Sequence, residues 1–340
     1  MLKIFRTNIW WNVVVPQVLG WIYFCWLCNG INIFQDIYPS FFIFGIGAFF
    51  ISLISISAFG YLFNDWCDAK SDLVAGKKNL LSTLNPAWQF VIVIIPLLIG
   101  CFFWLPTSKI ATVLFALQII SLIIYSAPPF RLKNRGLLGV LSDAFYGHIN
   151  PVFITLFAFN FFDNNFSVNA ILFLVALTMA VSLKGIRNIL LHQLDDRKKD
   201  RKAGIQTFVV KNGALFTLNF INNLIPFELF FTFALVVPIS IFSPPFFLSF
   251  LFFVLLTYLK FSGWKLSYLP KRQLRFKFLY FLNDYYEGWI PVFFLILLST
   301  RSPVFLILLL LHLVFFPAFW NKLSNAIKTI KQNFKTEDEY

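Results

Sequence analysis

Charged residues are scarce in this chain. They make up 13% of its 340 residues, whereas an ordinary soluble domain carries about 25%. Acidic residues number only 15 against 28 lysines and arginines, and the chain has four cysteines. One CxxC pair occurs, but no second cysteine or histidine pair accompanies it, so the spacing does not indicate a zinc site. Composition therefore excludes an ordinary soluble domain.

Apolar residues are correspondingly abundant. Of all residues, 59% are hydrophobic and 20% are aromatic, and a run of about 20 apolar residues is enough to cross a bilayer. The sequence predicts an all-α, polytopic membrane helix bundle. Ten predicted spans cover residues 9–28, 40–63, 87–105, 109–126, 137–160, 168–191, 212–239, 245–262, 281–299 and 303–320.

The basic residues are distributed unevenly about these spans. With ten spans, both termini and the loops after every second span lie on one side of the membrane. Counted over those segments and the adjoining helix ends, all but two of the 28 lysines and arginines, Lys109 and Arg301, belong to that side, and the positive-inside rule places it in the cytoplasm. The bilayer thus explains the basic excess without a nucleic-acid partner. We expect one transmembrane transferase domain over residues 1–320 and a cytoplasmic tail over 321–340.

Acidic residues concentrate at the cytoplasmic ends of spans 2 and 6. Asp65, Asp68 and Asp72 follow span 2, and Asp196 and Asp200 follow span 6. On helices these spacings place each set on one face, and an even number of intervening spans puts both sets on the same side. Mg²⁺ prefers oxygen ligands and bridges carboxylates to phosphate groups. The two sets predict a Mg²⁺–diphosphate site; the alternative is a pair of solvated helix ends with local salt bridges.

A basic loop follows span 4 on the same side. Pro128 and Pro129 end the helix, and we expect Arg131 and Lys133 to lie together on one side of a strand-like segment. Such cations can bind the phosphate oxygens that a metal ion does not reach. Positive-inside topology alone is the alternative explanation.

Span 6 also carries a polar stripe. Lys184, Asn188 and His192 recur every four residues towards Asp196, and Arg187 lies one residue off the stripe. Polar residues in a membrane helix usually face a cavity, so we expect these four to contact substrate. Helix–helix hydrogen bonding is the alternative for the deeper ones.

Other polar residues complete the candidate site. Asn64 begins the first acidic segment and Tyr125 begins the basic loop, and both are predicted to bind substrate. In span 5, Asp143, His148 and Asn150 are candidates for residues that line a cavity.

Three motifs in order resemble the UbiA superfamily of intramembrane prenyltransferases. They are NDxxDxxxD at 64–72, YSxPPxRxKxRG at 125–136, and DxxxD followed by AGxxT at 196–207. The resemblance implies a bundle of about nine helices around a central cavity. It also implies that the five motif aspartates bind Mg²⁺ and the diphosphate, while Arg131 and Lys133 hold the diphosphate and stabilise it as a leaving group.

The resemblance leaves the substrates open. It implies an isoprenoid diphosphate donor and a hydrophobic or aromatic acceptor, such as a quinone precursor. The loop at 76–81 lacks the arginine common in relatives, and His192-Gln193 replaces a segment where tyrosine is frequent. One alternative is a phosphoribosyl diphosphate donor with a polyprenyl phosphate acceptor. A membrane transporter is the alternative from a different class.

Overall fold

The chain is almost entirely helical, as its composition predicts. The computed structural model describes residues 11, 14–29, 39–105, 108–159, 161–162, 168–262 and 281–337. No β-strand forms among these residues, and a single parallel bridge joins Gly136 to Thr207. The predicted all-α fold is therefore confirmed.

The helices follow the predicted spans closely. In chain order they are α1 Val14–Asn29, α2 Pro39–Ala75, α3 Pro86–Phe102, α4 Lys109–Ser126, α5 Leu137–Ala144, α6 Asn150–Ala158, α7 Val168–Lys202, α8 Phe208–Asn212, α9 Ala214–Phe242, α10 Pro245–Ser262, α11 Phe281–Asp284, α12 Ile290–Arg301, α13 Val304–Phe315 and α14 Ala318–Glu337. Short 3₁₀ turns occupy Leu81–Thr83 and Leu132–Asn134, and π-helical turns join α5 to α6 at Phe145–Ile149 and α11 to α12 at Tyr285–Trp289.

Among the described residues, four helices are each long and apolar enough to cross a membrane. They are the segments Gly45–Ala75, Lys109–Ser126, Ala170–Lys202 and Ala214–Ile241. A fifth span is possible if α13 and the first part of α14, which meet at 72°, act together. The shorter apolar helices include α1, α3 and α10. The count of nine to ten spans stays a prediction.

The two acidic helices extend beyond their predicted spans. Helix α2 continues to Ala75 and α7 to Lys202, about 12 and 11 residues past the predicted ends of the apolar segments. At a rise of 1.5 Å per residue, each extension adds about 17 Å. Both acidic segments therefore lie on regular helix, so the side-chain spacings argued from the sequence apply.

The helices form two compact units. The first comprises residues 1–11, 29–164 and 181–224, and the second comprises 12–28, 165–180 and 225–340. All five motif aspartates and the basic loop belong to the first unit. The prediction of one domain over 1–320 with a separate tail stays a prediction, and α14 covers most of the tail segment.

The first unit has an apolar core where α2 packs against α3 and α4. Buried Ile56, Phe59, Val93 and Phe115 contribute to it. Small residues bring the helices close together: a Cβ on Gly100 would lie 2.7 Å from Ile56 Cδ1. This contact fixes α2 against α3, and so fixes the position of the helix that carries the first acidic segment.

The second unit has an aromatic core. The Phe24 ring stacks on Phe173 at 5.1 Å, and the Phe246 ring stacks on Phe294 at 4.8 Å between centroids. Such pairs add about 0.5–1.5 kcal/mol each beyond their buried area. Much of the aromatic content thus serves packing within this unit.

Candidate active site

The first acidic segment lies on the last turns of α2. Asp65, Asp68 and Asp72 are all buried, at 5%, 8% and 7% exposure. Burying a carboxylate is costly unless it is paired or binds a cation. The partners of these side chains therefore define the chemistry of the site.

Both acidic helices end with the same turn. Gly76 and Gly204 each have φ +71, which glycine adopts at little cost. In the first helix the Lys77 N–H donates to the Asp72 carbonyl at 2.9 Å, and in the second an N–H donates to the Asp200 carbonyl at 2.9 Å. The shared pattern is DxxxDxxAG, and it places the two aspartate pairs at the same distance from a helix end.

Asp68 accepts hydrogen bonds from two cations of the basic loop. Arg131 Nη2 lies 2.8 Å from Asp68 Oδ1, and Lys133 Nζ donates to the same oxygen. Lys133 Nζ also donates to Asn64 Oδ1 at 3.0 Å, and Ser126 Oγ donates to that oxygen at 3.2 Å. Burial lowers the pKa of the Lys133 ammonium, an effect that Asp68 offsets only in part. The basic loop and the first acidic segment thus form one network.

The backbone of the basic loop differs from the expected one. The strand-like segment is wrong: Arg131 has left-handed torsion angles (φ 39, ψ 58), and Leu132–Asn134 form a 3₁₀ turn. The left-handed residue reverses the chain direction, and the tight turn then brings both cations to one carboxylate. Proline content indicated where the helix ends but not this reversal.

The second acidic segment is held by a lysine that the sequence did not single out. Lys77 Nζ lies 2.9 Å from Asp196 Oδ2 and 3.2 Å from Asp200 Oδ1. Because one ammonium reaches both carboxylates, they share a face of α7. Burial alone would lower the pKa of Lys77, but its hydrogen bonds and charge interactions with the two aspartates outweigh this and raise the pKa.

Lys77 and Asn79 connect the two acidic segments. Asn79 is buried and donates from Nδ2 to Asp72 Oδ2 at 2.9 Å and to the Asp65 carbonyl at 2.7 Å. Its neighbour Lys77 reaches α7 across 119 residues of sequence. Their position directly after the glycine that ends α2 is the only sequence signal that could have identified them. They occupy the loop at residues 76–81.

The basic loop also contacts the chain just after the second acidic segment. The bridge between Gly136 and Thr207 joins the end of the basic loop to the residues after α7. Gln193 Oε1 accepts from the Val209 N–H at 3.4 Å and holds α8 against α7. All three motifs are therefore brought together within the first unit.

The polar stripe on α7 divides into a deep and a shallow part. Lys184 and Arg187 are fully buried, and the 12 residues from Lys184 to Asp196 correspond to about 18 Å of helix. Arg187 Nη1 donates to Asn188 Oδ1 at 3.1 Å. His192 is exposed and lies one turn from Asp196. Of the predicted stripe, His192 is the member nearest to the acidic segment.

Tyr125 lies beside a polar group of the predicted span 5. Its ring contacts the Tyr146 ring edge-on, with 5.1 Å between centroids. Tyr146 in turn donates to Asp143 Oδ2 at 2.6 Å. Tyr125 thus lies between the basic loop that begins with it and a carboxylate on α5.

A metal ion would need oxygen ligands from more than one source. Among the described residues, no three histidine, cysteine or acidic side chains lie close enough together to coordinate one ion. The carboxylates of Asp68, Asp72, Asp196 and Asp200 are instead paired with lysine, arginine and asparagine. Mg²⁺ typically uses one or two carboxylates and completes its shell with water and substrate phosphate. The carboxylate donor set therefore fits Mg²⁺ when a phosphate substrate supplies the remaining oxygens.

These features define an all-helical integral membrane protein with an acidic and basic site at the ends of two long helices. The sequence model of the UbiA prenyltransferase family matches residues 33–283. The chain belongs to the UbiA prenyltransferase family, as its three motifs predicted. No curated protein matches the chain.

Solved structures of a UbiA homologue from Archaeoglobus fulgidus have a similar fold. The structure bound to DMAPP and Mg²⁺ has a TM-score of 0.56 and 16% identity, over 84% of this chain and 96% of that one. The structure bound to GPP and Mg²⁺ has a TM-score of 0.55, also at 16% identity, over 84% and 97%. At this identity the likeness shows the fold alone.

Proposed function

We propose that the protein is a Mg²⁺-dependent intramembrane prenyltransferase. It would transfer a prenyl group from an isoprenyl diphosphate to a hydrophobic or aromatic acceptor. The observation that carries the proposal is the network in which Lys77 bonds to both Asp196 and Asp200 while Arg131 and Lys133 bond to Asp68. It gathers acids and cations from three loops, which is the charge pattern needed for a metal-bound diphosphate.

Mg²⁺ is supported by the ligand chemistry of the acidic segments. The carboxylates that would hold it are those of Asp65, Asp68, Asp72, Asp196 and Asp200. Bound there, Mg²⁺ would neutralise the negative charge that develops on the leaving diphosphate. The structures of the Archaeoglobus fulgidus homologue, bound to Mg²⁺ with DMAPP or GPP, support the same assignment.

Three cations that bind carboxylates in this structure would bind the diphosphate of the substrate instead. Lys77, Arg131 and Lys133 bind carboxylates, and a diphosphate brought to the same place offers stronger and more numerous acceptor oxygens. Interactions that strengthen as charge moves onto the diphosphate stabilise the transition state for C–O cleavage. The surrounding apolar helices would keep water from the resulting allylic cation.

Two alternatives, a phosphoribosyltransferase and a transporter, would use the same acidic and basic residues for a different purpose. A phosphoribosyl diphosphate donor is also a Mg²⁺-bound diphosphate, so the acidic network alone does not separate it from an isoprenyl donor. The homologue structures with DMAPP and GPP favour the isoprenyl donor. A transporter would move a substrate without cleaving it. We further propose that the motif loops and both termini face the cytoplasm, as the distribution of basic residues indicates.

A product assay tests the proposal. Purified protein in lipid nanodiscs receives Mg²⁺ and either GPP with a mixture of aromatic acceptors or phosphoribosyl diphosphate with polyprenyl phosphate, and products are analysed by mass spectrometry. We expect diphosphate release from GPP that requires Mg²⁺. Release only from the phosphoribosyl donor would support the alternative enzyme, and no release from either would favour transport.

Matched variants make the assay specific. Asp68→Asn removes a carboxylate that binds two cations, and it should reduce the rate of diphosphate release at least 100-fold. Lys78→Met changes an exposed cation next to Lys77 and should leave the rate unchanged. Equal rates in the wild type and Asp68→Asn would contradict the proposed site.

A further inference from the structure

The first π-helical turn has an identifiable cause. The Asn150 N–H donates to the carbonyl of Phe145, five residues earlier. The next donor in that ladder would be the N–H of residue 151, which is proline and has none. Gln118 on α4 supplies the missing hydrogen bond, because its Nε2 donates to the Tyr146 carbonyl at 2.8 Å. Pro151 and the contact from Gln118 thus stabilise this wide turn together, and such turns occur frequently at functional sites.

The turn presents a carboxylate and a phenol together. Tyr146 Oη donates to Asp143 Oδ2 at 2.6 Å, and both side chains are partly exposed. The other oxygen, Oδ1, faces Gly147, where an added Cβ would lie 3.9 Å away in ordinary contact. Glycine therefore leaves space beside this oxygen. A carboxylate in a span is costly and usually functional.

This pair lies next to the candidate diphosphate site. The Tyr125 ring lies 5.1 Å from the Tyr146 ring, and the basic loop that begins at Tyr125 binds Asp68 through Arg131 and Lys133. His192 interacts with Asp143 and also with Asp196. A Cβ on Gly185 of α7 would lie 2.9 Å from Ala144, the neighbour of Asp143, and Gly185 precedes Asp196 by about 16 Å of helix, so the carboxylate on α5 lies towards the apolar part of α7. A prenyl chain whose diphosphate is held at the acidic segments would extend in that direction.

We propose that Asp143, hydrogen-bonded to Tyr146, is the catalytic base for the acceptor substrate. This inference rests on the proposed prenyl transfer. The allylic C–O bond breaks and its electron pair leaves with the diphosphate. The acceptor then donates an electron pair to form the new bond to the prenyl carbon, and the proton that it loses passes to the Asp143 carboxylate. Tyr146 orients the carboxylate by donating to Oδ2, and Tyr125 also hydrogen-bonds to it, so two phenols hold the group that receives the proton.

The assignment restricts the class of acceptor. A base is useful only if the acceptor carries a proton that it must lose, as a phenol, a naphthol or an indole does. A polyprenyl phosphate is already anionic, needs no base, and would meet the negative charge of Asp143. The Asp143–Tyr146 pair therefore favours a neutral aromatic acceptor that brings a proton.

Two rates measured in the same nanodisc sample test this assignment. With GPP and Mg²⁺, diphosphate release reports donor cleavage, and mass spectrometry reports transfer to phenol, naphthol or indole. In Asp143→Asn we expect transfer to fall at least 100-fold, the range that general bases contribute, while diphosphate release stays within about threefold. Release continues because the untrapped allylic cation loses a proton to the departing diphosphate and leaves as a diene that mass spectrometry also detects. Tyr146→Phe should reduce transfer by about tenfold. Asp195→Asn and Tyr258→Phe, both at exposed positions, should change neither rate.

A rescue experiment separates a base from a structural residue. Asp143→Ala leaves space for a small carboxylate, and added formate should restore transfer at least tenfold over the unrescued variant, without changing diphosphate release. No rescue, or a parallel loss of both rates in Asp143→Asn, would overturn the assignment. Wild-type cleavage of GPP without transfer to any of the three probes would overturn the acceptor class while leaving the proposed donor reaction intact. No cleavage of GPP by the wild type would contradict the proposed function itself, and the assignment with it.

Discussion

Removing the cation from Lys77 should strengthen metal binding in the absence of substrate. Lys77 Nζ bonds to Asp196 and Asp200, and a metal ion that uses these carboxylates must displace it. The Lys77 side chain, which belongs to both ion pairs, is 24% exposed, so solvent screening at its ammonium keeps each ion pair at about 0.5–1 kcal/mol. Losing both should favour the metal by about 1–2 kcal/mol, which is about 5- to 30-fold in affinity.

The measurement is Mn²⁺ binding, followed by electron paramagnetic resonance, to protein without donor. Lys77→Met should bind Mn²⁺ about 5- to 30-fold more tightly than the wild type. Lys78→Met, one residue further on at an exposed position, provides the matched control and should change affinity less than twofold. Unchanged or weaker binding in Lys77→Met would refute the idea that lysine and metal compete for the same carboxylates.

Three further changes test the packing of the first unit, each by thermal unfolding in detergent. Gly185→Ala should lower the free energy of unfolding by about 1–3 kcal/mol, because the new Cβ would lie 2.9 Å from the Cα and Cβ of Ala144; an unchanged midpoint would contradict this close approach. Lys133→Met should cost about 1–3 kcal/mol by removing a buried partner of Asp68, and adding Asp68→Asn should recover part of it. Gly76→Ala should cost about 1 kcal/mol because φ is positive there, and wild-type stability would exclude the proposed turn.

The sequence predicted the elements that depend on local patterns. Apolar runs marked the helices, and the spacing of Asp65, Asp68 and Asp72 anticipated their common helix face. The ordered motifs identified the family. These inferences succeeded because hydrophobic length and helical periodicity are properties of short segments. The shared DxxxDxxAG pattern at both acidic helix ends was also present in the sequence. Only the structure shows that it marks the same helix-ending turn in both helices.

Contacts between distant segments could not be predicted in the same way. Nothing near Lys77 indicates that its ammonium reaches Asp196 and Asp200, since that contact depends on the path of the loop after α2. The reversal at Arg131 depends on a left-handed torsion that non-glycine residues seldom adopt. The π-helical turn required both Pro151 and a distant donor, Gln118. Each of these features is decided by tertiary packing.

The most direct test of the central claim is the Mg²⁺ dependence of diphosphate release from GPP in two adjacent variants. Asp196→Asn removes a carboxylate held by Lys77, and Asp195→Asn removes its exposed neighbour with the same change in charge. The account predicts loss of Mg²⁺-dependent release in Asp196→Asn and near wild-type release in Asp195→Asn. Equal rates in both variants would contradict a site built from the two acidic segments.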